Sequence, residues 1–186
     1  MIIKVNSAGY VPVLAIPSVA IDEWFLPSIQ ELERMYDAHV LGHGSFTSGI
    51  YWSSTEDDDG LGVGHAAATQ AYMIDFSDGT WYWDNKSMAL RVRPLRIFNA
   101  GIGDYVIGDT GPADGIIVYV QEGDWYFEVS ATDLSASHVW SNIDDTEIGA
   151  TAQGQGLNSG ETNTDAIIGQ AGHIDSAAKL CYDLSI

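Results

Sequence analysis

The residues best suited to chemistry are acidic and aromatic side chains between positions 55 and 85. Residues 55–60 read Thr-Glu-Asp-Asp-Asp-Gly, and hard cations such as Ca²⁺ prefer clustered oxygen ligands of this kind. The EF-hand pattern fails, however, because Thr55 stands at its first ligand position and Ala66 at its last. A solvated acidic loop is the favoured interpretation. We therefore assign no metal ligand, and calcium is kept only as an alternative cofactor.

Aromatic side chains crowd two short strands predicted at 71–76 and 80–84. Asp78-Gly79 between them is a strong hairpin signal. Sugar rings stack on aromatic faces beside carboxylate and amide groups, whereas core packing is the alternative role for any one of these aromatics. If the chain binds a ligand, we expect it on the acidic loop and this hairpin. The candidate ligand-binding residues are Asp57, Asp58, Asp59, Tyr82, Asp84 and Asn85.

Four of the seven basic residues lie close together, at Lys86, Arg91, Arg93 and Arg96. On an alternating strand Arg91 and Arg93 share one face, which is compatible with an anion site. Internal ion pairing is favoured, because 26 acidic residues compete for seven basic ones.

Composition narrows the classes of function. The 186 residues carry a formal net charge of −19, which repels phosphate backbones and excludes nucleic-acid binding as a main function. No segment reaches the roughly 20 apolar residues of a membrane helix, so no membrane insertion is expected. The single Cys181 allows no intrachain disulfide. Because no nucleophile elbow, zinc-protease motif or P-loop occurs, we predict that the chain is not an enzyme and assign no catalytic residue.

The elements that must position these residues are short strands and two helices. A capping box at Ser28 and Glu31 begins a helix over 29–40. A second helix is predicted over 174–184, with one buried face formed by Ile174, Ala177, Ala178 and Cys181. Residues 141–164 are predicted to form a long loop. The predicted strands lie at 50–54, 71–76, 80–84, 90–93, 115–120 and 125–129. The fold class is therefore α+β with short antiparallel strands.

The N-terminal residues 1–21 predict an extended arm. Pro12 and Pro17 suit an edge strand and also interrupt the apolar run that an export signal needs. Apolar side chains exposed on such an arm would promote aggregation, so we expect the arm to dock on its own domain, a sister subunit or a larger particle. This makes a homo-oligomer the expected state. The candidate partner-binding residues are Ile2, Ile3, Val5, Tyr10, Val11, Val13, Leu14 and Ile16.

Two groups of motifs resemble one known family. The first group comprises Trp24-Phe25-Leu26-Pro27-Ser28, Tyr51-Trp52-Ser53-Ser54-Thr55-Glu56 and Arg91-Val92-Arg93-Pro94-Leu95-Arg96. The second comprises Ile107-Gly108-Asp109-Thr110-Gly111-Pro112-Ala113, Trp140-Ser141, Asn163-Thr164-Asp165-Ala166-Ile167 and Ala177-Ala178-Lys179-Leu180-Cys181. Together they resemble the C-terminal domain of Legionella collagen-like adhesins, a bacterial and phage family. The resemblance covers residues 22–186 and implies a C-type-lectin-like fold without catalytic residues.

The two groups occur in exchanged order relative to that family. There, the half that matches 108–186 precedes the half that matches 22–98. We therefore predict one circularly permuted lectin-like domain over 22–186, with 99–107 as the new linker, or a chain that swaps halves with a neighbour. Residues near Asp22 should then lie close to residues near Leu184, within one chain or between chains.

The resemblance also implies a role outside the cell, whereas the sequence begins at Met1 without a convincing export signal. A phage protein, assembled in the cytoplasm and released by lysis, reconciles the two. We therefore predict a non-enzymatic virion surface protein (a head decoration, fibre or tail component) with a lectin-like adhesion domain. Its expected partners are other virion proteins and host surface glycans. The alternative is a secreted bacterial glycan-binding adhesin at the cell surface.

Overall fold

The computed structural model describes residues 23–58, 65–101 and 104–184. Within these ranges it contains three helices and eight strands in two sheets, which confirms the α+β class. In chain order the elements are α1 (Ile29–Val40), β1 (Ile50–Glu56), β2 (Gln70–Asp75), β3 (Thr80–Asn85), β4 (Ala89–Val92), β5 (Leu95–Asn99), β6 (Ile116–Gln121), β7 (Trp125–Val129), β8 (Ser135–Val139), α2 (Gly160–Ile168) and α3 (Ala177–Tyr182). The predicted arm, Asp22 and Asp59 lie outside the described residues.

Helix α1 begins where its capping box predicts. Ser28 Oγ accepts the Glu31 N–H at 3.3 Å, and Glu31 Oε2 accepts the Ser28 N–H at 2.7 Å. These two bonds satisfy backbone donors that the first turn of a helix leaves without intrahelical partners. In the apolar stripe of the helix, Ile29, Leu32 and Met35 are fully buried and Tyr36 is half-buried. The predicted helix over 29–40 is confirmed at both ends.

The strands form a five-stranded sheet in the order β3-β2-β1-β4-β8 and a three-stranded sheet in the order β5-β7-β6. All pairings are antiparallel except β1 with β4, which run parallel and meet at Tyr51 and Arg91. Both sheets combine strands from the two halves of the sequence, since β4 pairs with β8, and β5, which ends at Asn99 in the predicted linker, pairs with β7. The two halves of the sequence are therefore interleaved within one chain.

Two tryptophans join the halves in the core. Trp140 Nε1 donates to the Ser53 carbonyl oxygen at 2.8 Å, and Trp52 Nε1 donates to the His138 carbonyl oxygen at 3.0 Å. Both indole rings are fully buried, in a cluster with Leu26 and residues of α3. Burying these large side chains is favourable because each polar N–H keeps a hydrogen bond.

The C-terminal helix is shorter than predicted. Ser176 Oγ accepts the Lys179 N–H at 2.9 Å and so begins α3 at Ala177, not at 174. Ile174 precedes this cap and is 75% exposed, so its predicted place on the buried face is wrong. Ala177, Ala178 and Cys181 are fully buried, as predicted.

The predicted loop over 141–164 contains the beginning of α2, which the hydrophobic pattern missed. The buried face of α2 is partly polar and includes Asn163 and Thr164, so apolar periodicity is weak. Strands β5 and β8 were also missed. Pro94 separates β5 from β4, and β8 reads Ser-Ala-Ser-His-Val with little apolar alternation.

In the part of the chain that the structure describes, no helix is both long and apolar enough to span a membrane. The separation between Asp22 and Leu184 stays a prediction, since Asp22 is outside that part.

Candidate binding surface on the edge strand

Strand β3 lies at one edge of the five-stranded sheet and presents aromatic side chains to solvent. Successive side chains of a strand point to opposite faces. Trp81 and Trp83 thus share one face. Trp81 packs against the core cluster that includes the buried side chains of α1, and Trp83 is 40% exposed. Tyr82 points to the other face and is 41% exposed. The edge strand therefore offers one exposed aromatic ring on each face of the sheet.

The Trp83 ring is held in place by the loop that follows β1. Its indole stacks on the His65 imidazole, with ring centroids 4.2 Å apart and planes inclined by 20°. His65 Nδ1 lies 2.8 Å from Asp57 Oδ1. Trp83 also contacts Tyr72 edge-on, with ring centroids 6.4 Å apart and planes inclined by 65°. The exposed indole thus lies on a fixed support.

Asp57 has a structural part in this support. Its side chain is fully buried, and its carboxylate accepts the backbone N–H groups of Asp58 at 2.9 Å and Ala66 at 3.0 Å, besides contacting His65. The pKa of Tyr72 is raised to about 12, mainly by burial and to a smaller extent by the negative charge of Asp57. The Asp57 carboxylate therefore links the backbone of Asp58 and Ala66 to the His65 ring, and both of its oxygens already accept hydrogen bonds.

The structure brings most of the predicted ligand-binding residues to one end of the sheet. The Asp57 N–H donates to the Gln70 carbonyl oxygen at 3.1 Å, and Gln70 pairs with Asn85 in the β2–β3 ladder. Asp84 Oδ1 accepts the Asn85 backbone N–H at 2.7 Å. Asn85 is exposed, whereas Asp58 and Asp84 are half-buried. Polar groups therefore border the aromatic surface of β3.

A buried ion pair anchors the end of β3. Lys86 Nζ donates to Glu56 Oε1 at 2.6 Å, and both side chains are completely buried. The ammonium lies 5.0 Å from the centre of the Trp140 ring. Burial lowers the pKa of Lys86, and the ion pair with Glu56 opposes that effect. Lys86 therefore fastens the strand to the core and does not bind an external anion.

The three arginines are also paired internally. Arg91 and Arg93 donate to opposite oxygens of Asp133 at 3.1 and 2.9 Å, and Arg96 Nε donates to Glu128 Oε2 at 2.8 Å. Arg93 and Arg96 are almost fully buried. The prediction that these basic residues form internal ion pairs is confirmed.

His65 is the residue of this surface that sequence reasoning missed. It lies 18 positions from Trp83 in a glycine-rich segment, and no local pattern indicates that the two rings stack. Across the described residues, no group of three or more His, Cys, Asp or Glu side chains has the geometry to hold a metal ion. Burial raises the pKa of the Cys181 thiol well above its ordinary value, so this cysteine is protonated at neutral pH.

Comparisons of the chain with protein-family models, with curated proteins and with solved structures returned no match. The family resemblance therefore rests on the motifs quoted from the sequence.

Proposed function

We propose that this chain is a non-enzymatic virion surface protein whose lectin-like domain binds host surface glycans through the exposed aromatic surface of β3. The C-type-lectin-like fold, with its two halves in permuted order, is part of this proposal. It is supported by the family motifs over residues 22–186. The family that these motifs resemble includes bacterial adhesins, which makes a secreted adhesin the alternative.

The observation that carries the proposal is that the Trp83 ring is exposed to solvent and is also held in place by its neighbours. Trp83 is 40% exposed. Its ring stacks on the His65 ring, and the buried Asp57 holds His65 in place. A sugar that stacks on a fixed ring restricts little protein motion, so less conformational entropy is lost on binding. The polar edge at Asp84 and Asn85 offers hydrogen-bond partners for hydroxyl groups.

The charge of the protein restricts the class of glycan. A formal net charge of −19 repels sulfated and sialylated chains at long range. We therefore propose neutral glycans, or glycans that carry amino groups, as ligands. Raising the salt concentration should weaken this discrimination, because screening shortens the range of the repulsion.

The test is a glycan array probed with the wild type, Trp83→Ala and Tyr82→Ala, each with and without calcium. Tyr182→Ala is the matched control, because Tyr182 is an exposed aromatic residue (46%) on α3 and is absent from the β3 surface. We expect Trp83→Ala to lower affinity about tenfold or more, since aromatic stacking and burial contribute about 1.5 kcal/mol or more. Tyr182→Ala should bind like the wild type. Absence of glycan binding in both conditions, or equal binding by Trp83→Ala and Tyr182→Ala, would refute the glycan proposal.

The location is tested separately by mass spectrometry of purified phage particles. Stoichiometric recovery of this chain with the particles supports the virion assignment. Recovery from the bacterial surface and not from particles would favour the secreted adhesin.

A further inference from the structure

A pocket lies beside the three-stranded sheet, away from the elements that form the β3 surface. It is a pocket of about 350 Å³ between the end of the β6–β7 hairpin and the first turn of α2. This volume lies in the range of small-ligand sites. The pocket is lined by Phe25, Ile97, Gln121, Trp125, Asn158 and Glu161.

Local structure fixes the two walls of the pocket. Gln121 and Trp125 are partners at the end of the β6–β7 ladder, where Gly123 turns the chain with φ of 87°. On the opposite wall, Asn158 takes a φ of 69°, and its N–H donates to Glu31 Oε1 at 2.7 Å. Glu31 is fully buried, so the entry into α2 is tied to the start of α1. Both walls are therefore held by backbone pairing or buried hydrogen bonds.

Three of the described lining residues are polar: Gln121, Asn158 and Glu161. Gln121 Oε1 is buried and has no hydrogen-bond partner among the residues that the structure describes. A buried acceptor without a donor is unfavourable until a ligand supplies one. Glu161 adds a carboxylate, and burial together with the charges of Asp165 and Glu23 raises its pKa. A cation bound beside Glu161 would stabilise its charged carboxylate and so oppose this rise in pKa.

The remaining lining is apolar. Phe25, Ile97 and Trp125 supply aromatic and aliphatic surface, and none of the lining residues that the structure describes is Lys or Arg. An indole ring attracts cations through its negative face as well as packing against hydrocarbon. The lining thus combines a carboxylate, an acceptor that lacks a donor, the Asn158 amide, and a surface for an apolar stem.

We propose that this pocket binds a primary ammonium group carried on an apolar stem. The ammonium donates hydrogen bonds to Glu161 and Gln121, and the stem packs on Trp125 and Phe25. A quaternary ammonium cannot donate and would leave the Gln121 oxygen without a partner, while a neutral alkyl group would leave Glu161 uncompensated. Such a group occurs on the lysine side chain of a partner protein and on a free alkylamine.

The experiment is isothermal titration calorimetry of the full chain with four probes. These are pentylamine, a blocked Gly-Lys-Gly peptide, its norleucine counterpart and its trimethyllysine counterpart. We expect the lysine peptide or pentylamine to bind about tenfold or more tightly than the norleucine and trimethyllysine peptides. Tighter binding of the lysine peptide than of pentylamine identifies a partner's lysine as the source, and the reverse order identifies a free amine.

Two variants and a matched control separate this site from general attraction to an acidic protein. Glu161→Gln should lower affinity for the preferred amine about tenfold or more, whereas Glu122→Gln, on the exposed β6–β7 turn, should change it less than about twofold. Gln121→Leu should weaken binding of the amine and leave the trimethyllysine peptide unchanged. Equal binding of the norleucine peptide, equal effects of the two Glu variants, or no binding of either amine would overturn the proposal. Because none of these residues belongs to the β3 surface, the result is independent of the glycan assay.

Discussion

The buried pair of Glu56 and Lys86 gives the sharpest prediction about stability. Four acceptors surround Lys86 Nζ: Glu56 Oε1 at 2.6 Å and the carbonyl oxygens of Ala67, Ala68 and Thr146 at 2.8, 3.1 and 3.3 Å. Because an ammonium group has three N–H donors, two of these acceptors share one donor. The ammonium therefore connects the loop before β2 with the loop before α2. Glu56→Gln removes the negative charge and leaves the ammonium buried.

The expected loss of stability has two parts. Removing one partner of a buried ion pair costs about 3–5 kcal/mol. We expect the lower end of this range, because three carbonyl oxygens still accept hydrogen bonds from the Lys86 ammonium. Glu56 also accepts the N–H groups of Ile148 and Gly149 at 2.8–3.1 Å, and the amide of Gln presents a donor to one of them. That mismatch adds about 1 kcal/mol. We therefore expect Glu56→Gln to lower the free energy of unfolding by about 4 kcal/mol and the melting temperature by about 8–16 °C.

The assay is urea unfolding at pH 7, followed by tryptophan fluorescence. Asp183→Asn is the matched control, because Asp183 accepts from Lys179 at 2.6 Å in an exposed pair. It should cost less than about 1 kcal/mol. The double variant Glu56→Gln/Lys86→Met removes the buried charge and should be more stable than Glu56→Gln alone.

The pH dependence of Glu56→Gln provides a second check. Burial lowers the pKa of Lys86, and the variant lacks the carboxylate that opposes this effect. The unfolded state then binds more protons than the folded state above the lowered pKa, so stability should rise with pH up to about 10.5. Equal losses in Glu56→Gln and Asp183→Asn, or a double variant no more stable than Glu56→Gln, would refute this reasoning.

Three further predictions concern the helix starts and the N-terminal arm. Burial raises the pKa of Glu31 from 4.5 to about 7, so the folded state binds this proton more tightly than the unfolded state. The wild type should therefore lose about 3 kcal/mol of stability relative to Glu31→Gln as the pH rises from about 4.5 to about 8. If urea titrations show the same difference in the free energy of unfolding at every pH, this prediction is wrong. Gly160→Ala should cost about 1–3 kcal/mol in thermal unfolding, because the added Cβ meets Glu31 Oε2 and lies 2.7 Å from Phe25 Cε2. Gly156→Ala, whose Cβ meets only Ser159 Oγ at 3.7 Å, is its control and should unfold like the wild type. Deleting residues 2–16 should reduce oligomerisation or particle attachment, measured by light scattering and by occupancy of purified particles; an unchanged oligomer and occupancy would exclude the docking role of the arm.

Local patterns in the sequence determine several elements by themselves. The capping box at Ser28 and Glu31, followed by an apolar stripe, is sufficient to predict α1. Alternating residues around Asp78-Gly79 are sufficient for the β2–β3 hairpin. The excess of acidic over basic residues predicts that the arginines are paired internally. In each case the cause lies within a few residues of its effect, or in the composition of the whole chain.

Tertiary structure alone decides the features whose partners are distant in the sequence. Helix α2 buries Thr164, whose hydroxyl accepts the Leu26 N–H across 138 positions, so its polar face gives no hydrophobic signal. The stacking of Trp83 on His65 depends on the contacts that Asp57 makes with His65 and Ala66, and the pocket at Trp125 and Glu161 joins a hairpin end to a helix start. A periodic pattern reports only whether a side chain is buried or exposed. Which groups meet there depends on how the sheets and helices pack, because a hydrogen bond or a stacked ring forms only when both partners reach the same place.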